Sequence, residues 1–380
     1  MPWQEQSRMS LRLEFVTLAA QPDANIRQLC RRFAISPTTG YTWLARFRRQ
    51  GTAGLVDQSR RPHHSPTRTA PATEAAILAV RQQHPAWGAR KIARWLTDQG
   101  GEQLPAASTI TAILARHGGL DPTTAAQHRA YTRFVAAAPN DLWQIDFKGH
   151  FPLTAGGRCH PLSVLDDHSR FLLGLVACGD ERACTVQTVL TGLFARYGLP
   201  ARILLDNGSP WGDDTQHRHT VLTVWLWRLG IAVSHTRVRH PQTQGKVERL
   251  HRTLERELLA GRVWRDLAAC QTAFTWWRTE YNSERPHAAL ALATPLSRYT
   301  TSPRSLPIPL PPFDYAADAV VRTVQRGGDV SFGNQRYRVG KAFVGQRVEV
   351  RATTTAGRWA VYCGRHPIAT IVVDDGAGGA

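Results

Sequence analysis

The chain has 380 residues, a formal net charge of +18 and a pI near 10.6, which leaves room for about two or three domains and points to a polyanionic partner, nucleic acid being the commonest. Of the 47 basic residues only Lys91, Lys148, Lys246 and Lys341 are lysine, so the excess is arginine, whose planar fork suits phosphate oxygens. Six cysteines without a CxxC pair speak against a disulfide framework or a zinc site, and the lack of a signal-peptide core or a membrane-length apolar run gives the expectation of a soluble, cytoplasmic chain with no membrane contact.

Residues 1–58 read as a helix-turn-helix DNA-binding domain. An amphipathic segment carrying Ile26, Leu29, Cys30 and Phe33 breaks at Ala34 and Ile35. Ser36 then offers an N-cap and Pro37 a first helical residue for a second helix, which buries Trp43, Leu44 and Phe47. That helix would present Thr38, Thr39, Thr42 and Arg46 to DNA. Any helical hairpin shares this pattern, but residues 1–70 hold eleven Arg against four acidic residues, which favours DNA. Residues 59–72 are a Pro- and Arg-rich linker. Residues 73–128 resemble a second helix-turn-helix unit, its last helix capped by Ser108 with Ile110, Ile113 and Leu114 facing inward.

From residue 129 the texture changes. DLWQIDFKGHF, HPLSVLDDHSRFLLGLVACGD and ARILLDN are apolar runs of strand length, with turns at Gly156 and Gly157 and again around residues 167–169. Helical segments over residues 185–197 and 215–229 separate the later strands. Strands first, then strand and helix alternating, indicate a mixed sheet flanked by helices over residues 129–300. A proline-rich linker follows at residues 301–313. Residues 314–373 show short alternating strands with glycine turns, the pattern of a small β-barrel. The tail, residues 374–380, is expected to be disordered.

Three carboxylates stand out. Asp146 lies inside one apolar strand, where a charge costs burial energy unless something cationic pairs with it. Asp206 ends another strand, although Asp-Asn-Gly is also ordinary turn chemistry. Glu248 lies in HPQTQGKVERLHRTLERELL, whose Val247, Leu250, Leu254 and Leu258 form one buried helical stripe. It shares the neighbouring polar face with Gln244, His251, Arg252 and Glu255, which on charge pattern alone is a solvated face laced with ion pairs. If the three acids converge at one sheet edge, their hard oxygens suit Mg2+, and two such ions can clamp the attacking and leaving oxygens of an in-line phosphoryl displacement. Asp166 and Asp167 fall in a hairpin turn and read as structural, as do His240 and His287 beside their prolines. No P-loop pattern occurs, so no nucleotide cofactor is expected.

In order, WQIDFKGHF, VLDDHSRFLLG, LLDNGSPW, HPQTQGKVERLHRTLERELL and YNSERPHAAL resemble the motifs of DDE transposases with an integrase-type catalytic core. The chain as a whole resembles an insertion-sequence transposase of the IS481 kind, related to IS3 transposases and retroviral integrases. The resemblance implies a multidomain protein: N-terminal all-α helix-turn-helix units, a central α/β RNase H-like core and the C-terminal β-barrel. It carries the catalytic, metal-ligating triad onto Asp146, Asp206 and Glu248. Gln244 and Arg252, and with less support Lys246 and Arg249, would hold the DNA end. The implied cofactor is a pair of Mg2+ ions, with Mn2+ able to substitute. The implied partners are double-stranded DNA, as terminal inverted repeats and target, and at least one further copy of the chain on paired ends. The implied setting is the bacterial cytoplasm. Two departures appear: Asp206 and Glu248 are 42 positions apart, longer than in retroviral integrases, with Asp213 and Asp214 read as decoys in the intervening loop, and the retroviral N-terminal zinc-binding set is absent.

The expected reaction is hydrolysis at a transposon end to leave a 3′-hydroxyl, followed by attack of that hydroxyl on target DNA. The N-terminal helices would supply sequence readout through the major groove. Arg336, Arg338, Arg347 and Arg351 would add sequence-tolerant contacts. Two rival readings remain: a DNA-binding regulator or inactive transposase remnant without turnover, and a plain RNase H-type nuclease.

Overall fold

The computed structural model describes residues 7–58, 69–119, 135–206, 208–212, 219–235 and 245–373. Gln244, Asp213, Asp214, His240, most of the first linker and the C-terminal tail therefore lie outside the described residues. The chain divides into two compact units, residues 1–68 and 69–380.

The first unit holds α1 (Arg8–Ala19), α2 (Ile26–Arg32) and α3 (Pro37–Gln50), closed by a 3-10 turn over Gly51–Leu55. Ala34 takes φ 50°, which makes the break between α2 and α3. Ser36 caps α3 by accepting from the Thr39 N–H at 3.2 Å, with Pro37 at its first position. Phe15, Val16, Ala19, Cys30, Leu44 and Leu55 form the core, with Trp43 and Phe47 partly buried against it. Gly40 permits the tight crossing of the helices, since a Cβ there would meet Cys30 Sγ at 2.5 Å.

In the second unit α4 (Pro71–Gln83), α5 (Ala89–Asp98) and α6 (Ala107–Arg116) pack around Trp87, Ile92, Ile110 and Ile113. The expected Ser108 cap is not used. The first helical bond of α6 runs from Ile110 N–H to the Ala106 carbonyl at 3.0 Å, so Ser108 lies inside the first turn, where its hydroxyl cannot cap.

The central sheet comprises β1 (Trp143–Phe147), β2 (Phe151–Pro152), β3 (Arg158–Asp166), β4 (Leu172–Cys178), β5 (Arg202–Leu205) and β6 (Ala232–His235). Strand β3 runs antiparallel to β1, β2 and β4, whereas β5 pairs parallel with both β1 and β6. This is the expected mixed sheet. On one face Trp143, Ile145, Leu162 and Val164 pack under α7 (Ala183–Tyr197) and α8 (Val221–Arg228). On the other, Leu165, Leu172 and Leu175 pack under α9 (Gly245–Leu254) and α10 (Leu267–Ser283). Helix α10 also satisfies the backbone of β4 through side chains: Asn282 accepts from Leu172 N–H at 2.8 Å and donates to its carbonyl at 3.0 Å, and Gln271 accepts from Ala177 N–H at 2.9 Å. An otherwise sticky strand is thereby covered.

The C-terminal strands do not close into a barrel. Among the described residues β7 (Val321–Thr323), β10 (Arg347–Ala352), β11 (Arg358–Cys363) and β12 (His366–Val372) form an open four-stranded sheet, and β8 (Asp329–Phe332) pairs with β9 (Gln335–Arg338) as a separate hairpin. The reason lies in the core beneath them. Val348, Val350 and Val361 bury against Val224 and Trp227 of α8, and Trp227 stacks on His366 at 3.9 Å. The apolar face is covered by α8 of the central region, so closure is not needed to hide it.

Candidate active site

Strand alternation decides which face each side chain of β1 takes. Trp143 and Ile145 enter the core under α7, so Gln144 and Asp146 emerge on the α9 side. The parallel register pairs Trp143 with Ile203 and Gln144 with Leu204, an offset of 60. Extended by two residues, the same offset sets Asp146 beside Asp206 at the carboxyl ends of the two strands. The Asp206 carbonyl accepts from His235 Nδ1 at 3.0 Å, which ties the ends of β5 and β6 together. Glu248 is exposed in the first turn of α9, and Val247, Leu250 and Leu254 below it are fully buried. The stripe expected from the sequence therefore orients this helix. It ends in a π turn over Glu255–Leu259 that lets both Leu258 and Leu259 reach the core.

Asp146 senses the charges of the other two carboxylates. Asp146 is pushed up to about 7, first by burial, then by the negative charge of Asp206, with Glu248 and Glu181 adding to it. His251, one helical turn beyond Glu248, faces the sheet rather than solvent. Its Nε2 lies 3.1 Å from Ser163 Oγ and its Nδ1 3.9 Å from Asp146 Oδ2. Burial, and then the nearby Lys148, hold the imidazole down at about 4, so it is neutral at pH 7 and acts as a wedge that covers Asp146. The acids are not drawn into a tight cage: among the described residues, the trio whose donor atoms all lie within 4.8 Å of one another is instead His150, His160 and Glu181.

Two further acids do a different job. Asp166, the last residue of β3, and Asp167, in the turn that follows it, are completely buried. Asp166 accepts from Ser169 N–H at 2.7 Å and Asn140 N–H at 2.8 Å. Asp167 accepts from Ala136 N–H and Gln144 Nε2, both at 2.7 Å, and pairs with Lys246. Burial pushes Lys246 down to about 8 while Asp167 pulls the other way, so the ammonium keeps its charge at pH 7. Lys246 is thus turned into the protein and anchors the start of α9. Its nominated role at DNA was reached from helical position, which does not reveal a partner 79 residues away.

Other nominated residues are where DNA can reach them. Thr38, Thr39 and Thr42 are exposed on α3, and Arg46 lies over the Trp43 ring at 5.1 Å. Arg249 and Arg252 are exposed on α9, and among the described residues no ion pair joins Arg252 to Glu248. Arg336, Arg338 and Arg347 are exposed, whereas Arg351 makes a two-pronged pair with Glu349 at 2.7 Å. The sequence reading missed the inward turn of His251 and the involvement of Glu181. Helical spacing carried a signal for the former, since His251 is three residues from Glu248 and one from the buried Leu250.

Comparison with known proteins agrees with this architecture. A helix-turn-helix domain matches residues 11–63 and a homeodomain-like domain residues 39–114. Integrase core domains match residues 136–241 and 229–295, and the C-terminal domain of the IS481 family transposases matches residues 319–375. An uncharacterized 31.7 kDa protein of insertion element IS407 from Burkholderia multivorans is 25% identical over 161 residues, 42% of this chain and 56% of that protein. The Gag-Pol polyprotein of avian reticuloendotheliosis virus is 29% identical over 133 residues, 35% of this chain and 11% of the polyprotein. The chain thus spans little more than half of the first relative and a small part of the second. Among solved structures, the simian T-cell lymphotropic virus intasome in complex with a PP2A regulatory subunit aligns at 17% identity and a TM-score of 0.37, over 78% of this chain and 95% of the other. The HTLV-2 integrase catalytic core domain in complex with magnesium aligns at 17% identity and a TM-score of 0.33, over 43% and 99%. No helix among the described residues is long and apolar enough to cross a membrane. Helix-turn-helix units, an integrase core and the IS481 C-terminal domain thus follow one another along one sequence, and the chain carries the set of domains found in insertion-sequence transposases of the IS481 kind.

Proposed function

We propose that this chain is a DDE transposase that binds the terminal inverted repeats of its element, cleaves there and transfers the freed strand into target DNA. The observation that carries the reading is the half-buried Asp146, flanked by Asp206 and Glu248, whose carboxyl is lifted to about 7 first by burial and then by those like charges. Repulsion maintained at a sheet edge is a poor structural device and a good cation site. The hard-oxygen donor set fits Mg2+. Asp146, Asp206 and Glu248 would hold two such ions, which supply water activation and charge neutralisation at the transferred phosphoryl group.

The rest is work for the protein's own side chains. His251 keeps water from one side of Asp146 and fixes its rotamer. The Asp167–Lys246 pair holds the first turn of α9, and so Glu248, against the sheet. Arg252 and Arg249 offer forked donors that can grip phosphates beside the acids, and Gln244 is assigned the same task from the sequence. Thr38, Thr39, Thr42 and Arg46 on α3 would read the terminal repeat, and the working unit would be at least a dimer, since two ends must be joined.

The test is a cleavage and strand-transfer assay on duplexes carrying the element's own ends, with Mg2+ or Mn2+. Asp146→Asn, Asp206→Asn and Glu248→Gln should each abolish both steps while leaving end binding within about twofold, because each removes a ligating charge with little change of shape. End binding without cleavage in the unaltered chain would favour a regulator. Cleavage of duplexes without regard to the ends would favour a plain nuclease.

A further inference from the structure

Away from Asp146, one donor atom from each of His150, His160 and Glu181 falls within 4.8 Å of the other two. Strand registers bring them there. In the β2–β3 hairpin Phe151 pairs with Cys159 and Pro152 with Arg158, each pair summing to 310, so the next outward pair is His150 and His160. Their ring centroids lie 5.1 Å apart with planes inclined at 40°, which is not a stack. On the other side of His160, β4 ends at its partner Cys178, and the chain turns back so that Glu181 Oε1 lies 2.8 Å from His160 Nδ1. That turn is fixed by Asp180, which accepts from Arg182 N–H at 3.0 Å and Thr185 Oγ at 2.6 Å.

We propose that His150, His160 and Glu181 form a second cation site, for a borderline transition ion of the Zn2+ or Co2+ type. Two imidazoles and a carboxylate suit such ions, whereas Mg2+ demands oxygen donors. Three protein donors leave one tetrahedral position for water. Arg158 donates to His150 Nε2. A guanidinium cannot accept, so that nitrogen presents its lone pair, the form a metal requires. Arg158 is exposed and can swing into solvent when the ion enters.

The two imidazoles lie on the opposite face of the sheet from Asp146, while Glu181 is near enough to add to the charge that Asp146 feels. Alternation along β3 puts His160 on the side of Leu162 and Val164, toward α7, whereas Asp146 pairs with Ser163 on the α9 side. Ordinary surface chemistry would leave a His–Glu hydrogen bond with a second imidazole nearby, and metal titration separates the two.

Zn2+ is titrated calorimetrically into the full chain carrying Asp146→Asn and Glu248→Gln, which silences the acidic centre. About one equivalent should still bind. Adding His150→Ala or His160→Ala should weaken that binding by about 100-fold, and Co2+ should give visible d–d absorption that disappears with the same changes. Binding unaffected by both histidine substitutions, or already lost in the Asp146→Asn and Glu248→Gln background, would overturn the proposal. Should His160→Ala unfold the strand end, His150→Ala decides alone, since His150 is exposed and its loss leaves the core intact.

Discussion

Asp146, on β1, and Asp167, in the turn that follows β3, meet burial in opposite ways. Asp167 is compensated by Lys246 and two further donors. Asp146 is driven up to about 7, first by burial and then by the like charge of Asp206. Neutralising them should therefore separate stability from function. Asp167→Asn and Lys246→Met each strand half of a buried pair and should cost about 3 kcal/mol, read as a lower urea midpoint, with activity falling because the start of α9 loosens. Asp146→Asn should abolish activity while leaving the midpoint unchanged or higher, since a repulsive charge is removed. A large destabilisation by Asp146→Asn would mean that its carboxylate is a structural partner after all. Arg252 has no ion pair with Glu248 among the described residues, although the i,i+4 spacing allows one. Arg252→Ala should leave the melting temperature alone but cut end-processing strongly, and Arg252→Lys should restore it only in part, as a point charge cannot reproduce the fork. A small stability loss with activity preserved would return Arg252 to an ordinary helix-surface role.

At the scale of elements, what was legible in the sequence had a period or a cap. The Val247, Leu250 and Leu254 stripe, the Ser36 cap with Pro37 and the apolar strands all reappear in the fold because each rests on neighbours within about one helical turn or one strand. What was not legible depends on distant chain. Nothing near Val348 or Val361 announces that α8 will cover their sheet, and nothing near Lys246 announces Asp167. The same holds where the second helical unit meets the core. His84, at the end of α4, bonds Glu280 of α10 at 3.0 Å. Lys91 of α5 is driven down to about 7, first by burial and then by Arg285, with Arg249 and Arg256 adding to it and Glu257 alone opposing. An unfolded lysine keeps its proton up to about pH 10.4, so between pH 7 and that value the unfolded chain binds more protons than the folded one, and stability rises with pH. Lys91→Met removes this contribution. The variant should be the more stable protein near pH 7, and its advantage should shrink as pH is raised toward 10. Paired melts across that range that kept a constant difference would show that Lys91 keeps its charge when folded.

For the whole molecule, the question is how a net charge of +18 is divided between reading DNA and merely holding it. The first unit, residues 1–68, has a core of its own and presents the uncharged Thr38, Thr39 and Thr42 at the start of α3, a stretch that suits base edges, with Arg46, Arg48 and Arg49 following toward its end. The C-terminal strands present Arg336, on the β8–β9 hairpin, and Arg347, on the open sheet, to solvent, while their apolar side is spent on Val224 and Trp227 of α8, so this region offers charge without a shaped groove-reading element. The two ends of the chain should then fail differently. In the full-length protein, Thr38→Ala with Thr42→Ala should lower affinity for the terminal repeat by about 1–3 kcal/mol per lost base contact while sparing random duplex. Arg336→Gln with Arg347→Gln should weaken both duplexes equally and reduce the slope of log affinity against log salt by about 0.9 for each phosphate contact removed. Binding titrations of both variants on both duplexes at several salt concentrations give each slope and each ratio. Loss of discrimination in the arginine variant, with the threonine variant still selective, would move sequence readout from α3 to the C-terminal sheet.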